Sequence, residues 1–173
     1  MQLSYAERAQ RYAEAIVAGL IPACRLTIAA CRRHLNDLKA AADGEPDFDY
    51  VFDAESANSI CGFVEQFPHV KGVWARAREL IRLEDWQCFA LAAPFGWLDK
   101  GSRTRRFRTV YIEVPRKNAK TTISAPVALY MATADGEYGA EVISAATKKE
   151  QAGISFKIAQ SMAKKSEAFR KEF

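Results

Sequence analysis

Apolar positions recur at helical spacing from the start of the chain. Tyr5, Ala9, Tyr12, Ala13, Ile16 and Val17 share one face of a stretch from Ser4 to Gly19, and the glycine is a natural stop. Pro22 opens a second amphipathic helix running to about Ala42. It presents Leu26, Ile28, Ala29, Leu35 and Leu38 on one side and Arg25, Arg32, Arg33 and Lys39 on the wetter side. Asp43-Gly44-Glu45-Pro46 reads as a turn, after which Asp53 is placed to cap a helix from Ala54 to about Phe67.

The pattern then changes. A helix is expected from near Glu84 through Phe89-Ala90-Leu91-Ala92-Ala93, interrupted at Pro94, followed by a basic turn from Lys100 to Arg108. Val110, Tyr111, Ile112 and Val114 cluster in a segment, 107–114, that reads as a buried strand ended by Pro115. A helical run from Lys120 to Ala134, a short strand from Glu141 to Ala145 and a helix from Lys148 to about Lys164 complete the chain. Strands alternating with helices predict an α/β fold with a parallel sheet and right-handed crossovers. The expected organisation is a helical leader over 1–79 and an α/β domain over 80–173. No repeat of the length used by solenoid families and no low-complexity tract divides the chain further.

Composition narrows the class. A chain of 173 residues, 49% hydrophobic and 27% charged, can own a real core and is neither disordered nor fibrous. The net charge of +4 is compatible with an anionic partner without requiring one. No apolar run approaches the ~20 residues needed to span a bilayer. Four scattered cysteines, Cys24, Cys31, Cys61 and Cys88, form no CxxC pair and fit a reduced, cytoplasmic setting. Cys24 and Cys31 share a helix face with His34, which admits a zinc site. Burial of small apolar thiols in a helix interface is the simpler reading of the same spacing.

The chemistry concentrates between the 107–114 strand and the following helix. Val114-Pro115-Arg116-Lys117-Asn118-Ala119-Lys120-Thr121 has the length and ending of a phosphate-binding loop but lacks its usual glycines. Such a loop needs backbone amides converging on phosphate oxygens at a helix N-terminus, a lysine for the β and γ phosphates, and a hydroxyl for magnesium. Lys120 and Thr121 supply the last two. Asn118, tolerant of left-handed backbone, is the expected source of the bend, and Ala119 adds one methyl where a glycine is usual. Arg116 and Lys117 add positive potential, and one of them could reach the γ phosphate. The alternative is a basic turn with a solvated Lys120.

The run Phe107-Arg-Thr-Val-Tyr-Ile-Glu-Val-Pro-Arg-Lys-Asn-Ala-Lys-Thr121 resembles the loop of phage large terminase subunits, in which a Pro-Arg-Lys-Asn-Gly-Lys-Ser/Thr form is familiar. Ala119 replaces that glycine. The similarity includes Phe63-Val64-Glu65, His69-Val70-Lys71-Gly72, Leu83-Glu84-Asp85-Trp86-Gln87 and Pro94-Phe95-Gly96-Trp97 upstream. Downstream it includes Glu141 to Thr147 and Glu150-Gln151-Ala152. The resemblance implies the start of a P-loop ATPase sheet, incomplete here, behind the helical leader. It implies ATP and Mg2+ as cofactors, bound by Arg116, Lys117, Asn118, Ala119, Lys120 and Thr121, with Thr121 on the metal. Trp86 and Gln87 would form an adenine-recognition element, although plain core packing accounts equally for Trp86.

Large terminases couple an N-terminal ATPase that drives double-stranded DNA into a procapsid to a C-terminal nuclease. The resemblance therefore implies double-stranded DNA, the small terminase subunit and the portal as partners, an oligomeric whole protein, and the cytoplasm of a bacterial host. Hydrolysis needs a carboxylate pair at the end of a later strand. Asp135, Glu137, Glu141, Glu150, Glu167 and Glu172 fall in loops, at a strand start or on helix surfaces, and the clustered aspartates of a two-metal nuclease are not seen. The expectation is a truncated chain that binds ATP without turning it over, with a non-catalytic interaction module binding another packaging protein as the alternative. Arg103, Arg105, Arg106 and Arg108 read either as a DNA-facing edge or as a solvated hairpin.

Overall fold

The helices that begin at Tyr5, Ala54, Asp85 and Glu167 start at side chains that answer free backbone amides. A computed structural model describes residues 3–173; the first two positions of the 1–79 leader range lie outside the described residues. Helix α1, Tyr5–Val17, opens with a reciprocal cap: Ser4 Oγ accepts from the Glu7 amide at 3.3 Å and Glu7 Oε2 accepts from the Ser4 amide at 2.7 Å. Its buried face is Ala6, Ala9, Ala13 and Ile16. Helix α2, Arg25–Asp43, begins three residues after Pro22 and stops at Gly44, whose φ of 69° is the left-handed geometry that glycine takes without a Cβ penalty.

Strand β1, Tyr50–Phe52, and strand β2, Trp97–Asp99, form an antiparallel pair in the register Tyr50–Asp99, Val51–Leu98, Phe52–Trp97. Helix α3, Ala54–Glu65, is capped by Asp53, whose Oδ1 accepts from the Ser56 amide at 2.8 Å. A short α4, Gly72–Arg76, precedes α5, Asp85–Gly96, where Gln87 Oε1 accepts from the Glu84 amide at 2.8 Å. Then come α6, Lys120–Thr133; α7, Lys149–Lys165; and α8, Glu167–Glu172.

The helices fold into two compact units that interleave along the chain. One holds the described residues up to Cys61 with Leu83–Ile112; the other holds Gly62–Arg82 with Glu113–Phe173. In the first, α1 lies along α5 and against α2. Trp97, fully buried, sits among Phe48, Phe52 and His34 at ring-centroid separations of 5.9, 5.3 and 5.9 Å. Gly96 lets the sheet close on this cluster: a Cβ there would stand 2.6 Å from the Phe52 ring. In the second unit α6 pairs with α7, and Phe63 and Phe67 pack on Tyr130 and Phe169 at 5.2 and 5.5 Å. Ser166 Oγ, between α7 and α8, donates to the Gln66 carbonyl at 3.2 Å.

The fold is thus mixed α/β and rich in helix, with a small antiparallel sheet that the apolar pattern did not announce. The strands expected at 107–114 and 141–145 differ from the structure: among the described residues neither segment joins a ladder, so the parallel sheet is not formed there. Val110, Tyr111 and Ile112 are 49%, 78% and 47% exposed, and Ile143 is 84% exposed. Clustered β-branched and aromatic residues fit a pleated surface, but a ladder also requires a neighbouring strand. Pro94 does not interrupt α5 either. It lies in the last turn, where the one hydrogen bond it forgoes costs little beside the packing of the helix's buried residues.

Candidate functional site

The loop over 115–119 runs from the irregular 107–114 segment into α6. Its backbone turns through left-handed conformations at Lys117, φ 70°, and Ala119, φ 54° and ψ 16°. The bend expected at Asn118 is therefore made by its two neighbours. Asn118 instead spends its side-chain amide on the loop, donating to the Pro115 carbonyl at 3.2 Å and to the Arg116 carbonyl at 3.3 Å. Lys120 curls back over the loop and its Nζ donates to the Val114 carbonyl. Ala119 carries its methyl in a conformation that costs an L-residue about 1–2 kcal/mol, which is why a glycine is the usual occupant of such a corner.

Ala119 is the residue before α6 and offers no side-chain cap. The first intrahelical bond runs from the Ile123 amide to the Ala119 carbonyl at 2.9 Å, which leaves the amides of Lys120, Thr121 and Thr122 without an intrahelical acceptor. Amide donors at the positive end of a helix dipole, ringed by the exposed Arg116, Lys117 and Lys120, make an environment suited to an anion. Thr121 is half-buried in the first turn. The structure thus brings Arg116 through Thr121 together on one loop, and the second left-handed corner at Lys117 is the feature that sequence reading missed.

Trp86 and Gln87 belong to the other unit, at the second and third positions of α5. Arg8 anchors this helix start: its Nε donates to Asp85 Oδ1 at 2.7 Å and an NH2 group to the Leu83 carbonyl at 2.6 Å. Gln87 is buried and uses its carbonyl oxygen in the cap, while Trp86 is half-buried.

Three of the four arginines of the basic turn have partners inside their own unit. Arg103 pairs with Asp53, and Arg105 lies 4.9 Å from the Phe95 ring centroid. Arg106 pairs with Asp37 at 2.7 Å and lies 4.4 to 5.8 Å from the ring centroids of Tyr50, Phe107, Phe48 and Trp97. Arg108 is exposed. Of the two thiols read as helix-interface residues, Cys31 is buried and Cys24 is exposed; Cys61 and Cys88 are buried as well. Burial pushes the Cys31 thiol up to about 11. His34 Nδ1 accepts from Trp97 Nε1 at 2.9 Å within an aromatic cage, and its Nε2 is buried without a partner. Burial, with the charge of Arg33 adding to it, pushes His34 down to about 4. Among the described residues no three His, Cys, Asp or Glu side chains are grouped to hold a metal ion, and no helix is long and apolar enough to cross a membrane.

Comparison with known proteins yields one family. No curated protein and no solved structure matches the chain. The family model of the terminase large subunit ATPase domain matches residues 85–171, from the first residue of α5 through the loop and α7 into α8. With half of its length covered by that match, the chain belongs to the terminase large subunit family, within the ATPase domain.

Proposed function

We propose that this chain serves the ATP-driven packaging of double-stranded phage DNA into procapsids, and that its 115–121 loop is where Mg-ATP binds. The observation that supports this most is local. A loop with two left-handed corners delivers the uncapped N-terminus of α6, with Lys120 already folded over the loop and Thr121 in the first turn. Phosphate oxygens would be held by the first amides of α6 and by Lys120, with Arg116 and Lys117 raising the surrounding potential and Asn118 keeping the loop closed. Thr121 would offer its hydroxyl to magnesium. Magnesium held there would neutralise phosphate charge. The family resemblance assigns the adenine to Trp86 and Gln87. On this reading the loop is the nucleotide-binding element of the ATPase domain, with the helical leader before it.

Thermal unfolding with and without Mg-ATP tests the reading, with Lys120→Ala beside it. Ligand at ~100 times its dissociation constant adds about 2.7 kcal/mol of stability, roughly 5 to 10 °C for a protein of this size. The expected result is a shift that disappears in Lys120→Ala. No shift from a cooperatively folding protein would favour the second reading, a non-catalytic module that binds another packaging protein such as the small subunit or portal. The strain of alanine and lysine at corners that suit glycine is the observation on that side.

A further inference from the structure

Between Pro68 and Leu80 the chain leaves the core and returns to it as a closed lobe. The neck is fastened by the antiparallel bridge Pro68–Leu80, by the His69 amide donating to the Glu79 carbonyl at 2.9 Å, and by the Ile81 amide donating to the Phe67 carbonyl at 2.9 Å. Below the neck Phe67 and Ile81 are buried. Above it every residue from Lys71 to Leu80 except Ala75 is exposed. The lobe is ordered internally: the Glu79 amide donates to the Trp74 carbonyl at 3.0 Å, and Arg78, at φ 56°, turns the chain back.

This lobe holds an indole in water. Trp74 is 54% exposed, beside Val73 at 67%, although tryptophan is highly buried on average. The His69 ring lies against it, with centroids 5.5 Å apart and planes 33° from parallel, which steadies the indole from one side. Lys71, Arg76 and Arg78 share the lobe with one acid, Glu79, and none of these cations has a carboxylate partner among the described residues. Two ends pinned at the neck confine the cations to the neighbourhood of the indole.

We infer that this lobe binds single-stranded nucleic acid, with an unpaired base stacked on Trp74 and the adjoining phosphates facing Lys71, Arg76 and Arg78. An acidic peptide would answer the cations but leave the indole in water, and a duplex hides its base faces. A single strand offers both a π-face and phosphates, the combination that non-sequence-specific single-strand sites use. The inference does not rest on the ATP loop.

Intrinsic tryptophan fluorescence of the full chain, titrated with oligo-dT, tests it directly. Trp97 is fully buried, and Trp74 is the most exposed of the three tryptophans. The expected result is quenching on binding and a slope of about −2 in log K against log salt, from ~0.7 per phosphate neutralised by three cations. Trp74→Ala is expected to weaken binding about ten-fold or more and abolish the quench. Trp74→Phe should keep affinity within a few-fold yet lose the quench, and Lys120→Ala should bind oligo-dT like the parent. Both Trp74 variants change an exposed side chain, and their unfolding midpoints should stay near the parent's. Equal affinity for a blunt duplex or for poly-glutamate, a quench that survives in Trp74→Phe, unchanged affinity in Trp74→Ala, or no binding at low salt would each overturn the inference.

Discussion

Replacing Ala119 with glycine should stabilise this protein, because the residue stands at a left-handed corner before the first turn of α6. At φ 54° and ψ 16° the alanine Cβ is held in a left-handed conformation that costs about 1–2 kcal/mol. Glycine removes that cost but gives the unfolded chain more freedom, which returns roughly 0.4–1 kcal/mol of the gain. The net expectation is about 0.5–1 kcal/mol, or roughly 1 to 4 °C in Tm for a chain of this length. Urea unfolding followed by helix circular dichroism is the direct assay, with a higher midpoint and an unchanged m-value as the signature. Ala119→Val should move the midpoint the other way, because a β-branched side chain tolerates this corner least. A midpoint lowered by Ala119→Gly, or left unchanged by both substitutions, would refute the backbone argument. The test needs no nucleotide, so it separates the strain at the corner from what the loop binds.

Two further expectations concern the first unit. Gly96→Ala places a methyl 2.6 Å from the Phe52 ring and 3.0 Å from the Ala57 Cβ, and should cost about 1–3 kcal/mol, measured as a drop in the urea midpoint; an unchanged midpoint would show that β1 and α3 shift freely. His34 should make stability acid-sensitive. Held near 4 in the folded protein against an ordinary 6.5, it leaves the unfolded chain binding more protons, so stability is full above about pH 6.5 and falls as pH drops toward 4. The loss is on the order of 3 kcal/mol. His34→Gln, which keeps an acceptor for Trp97, should flatten that part of the urea-midpoint profile, and identical profiles would sink the assignment.

What could be read from the residues alone was local. Ser4, Asp53 and Gly44 mark helix ends through bonds or dihedrals spanning a few residues, so the boundaries of α1, α3 and the end of α2 were legible. The loop was legible as a chemical unit for the same reason: Arg116 through Thr121 are contiguous, and the helix after them is announced by its own pattern. Its conformation was less so. Asn118 has the side chain that tolerates a left-handed corner, but that side chain bonds the Pro115 and Arg116 carbonyls, and the corners fall on Lys117 and Ala119.

Tertiary structure decided whatever depended on partners distant in sequence. Val110, Tyr111 and Ile112 have the composition of a strand, yet strand formation is a property of two segments and the composition describes one. The pairing of Tyr50–Phe52 with Trp97–Asp99 joins residues more than forty apart, with little alternation in either to announce it. Arg106 reads as one more solvated cation until Asp37, 69 positions away, and four aromatic rings close on it. Side chains encode caps and turns within reach of their own backbone, whereas ladders, cages and buried ion pairs exist only once the folded chain brings their halves together.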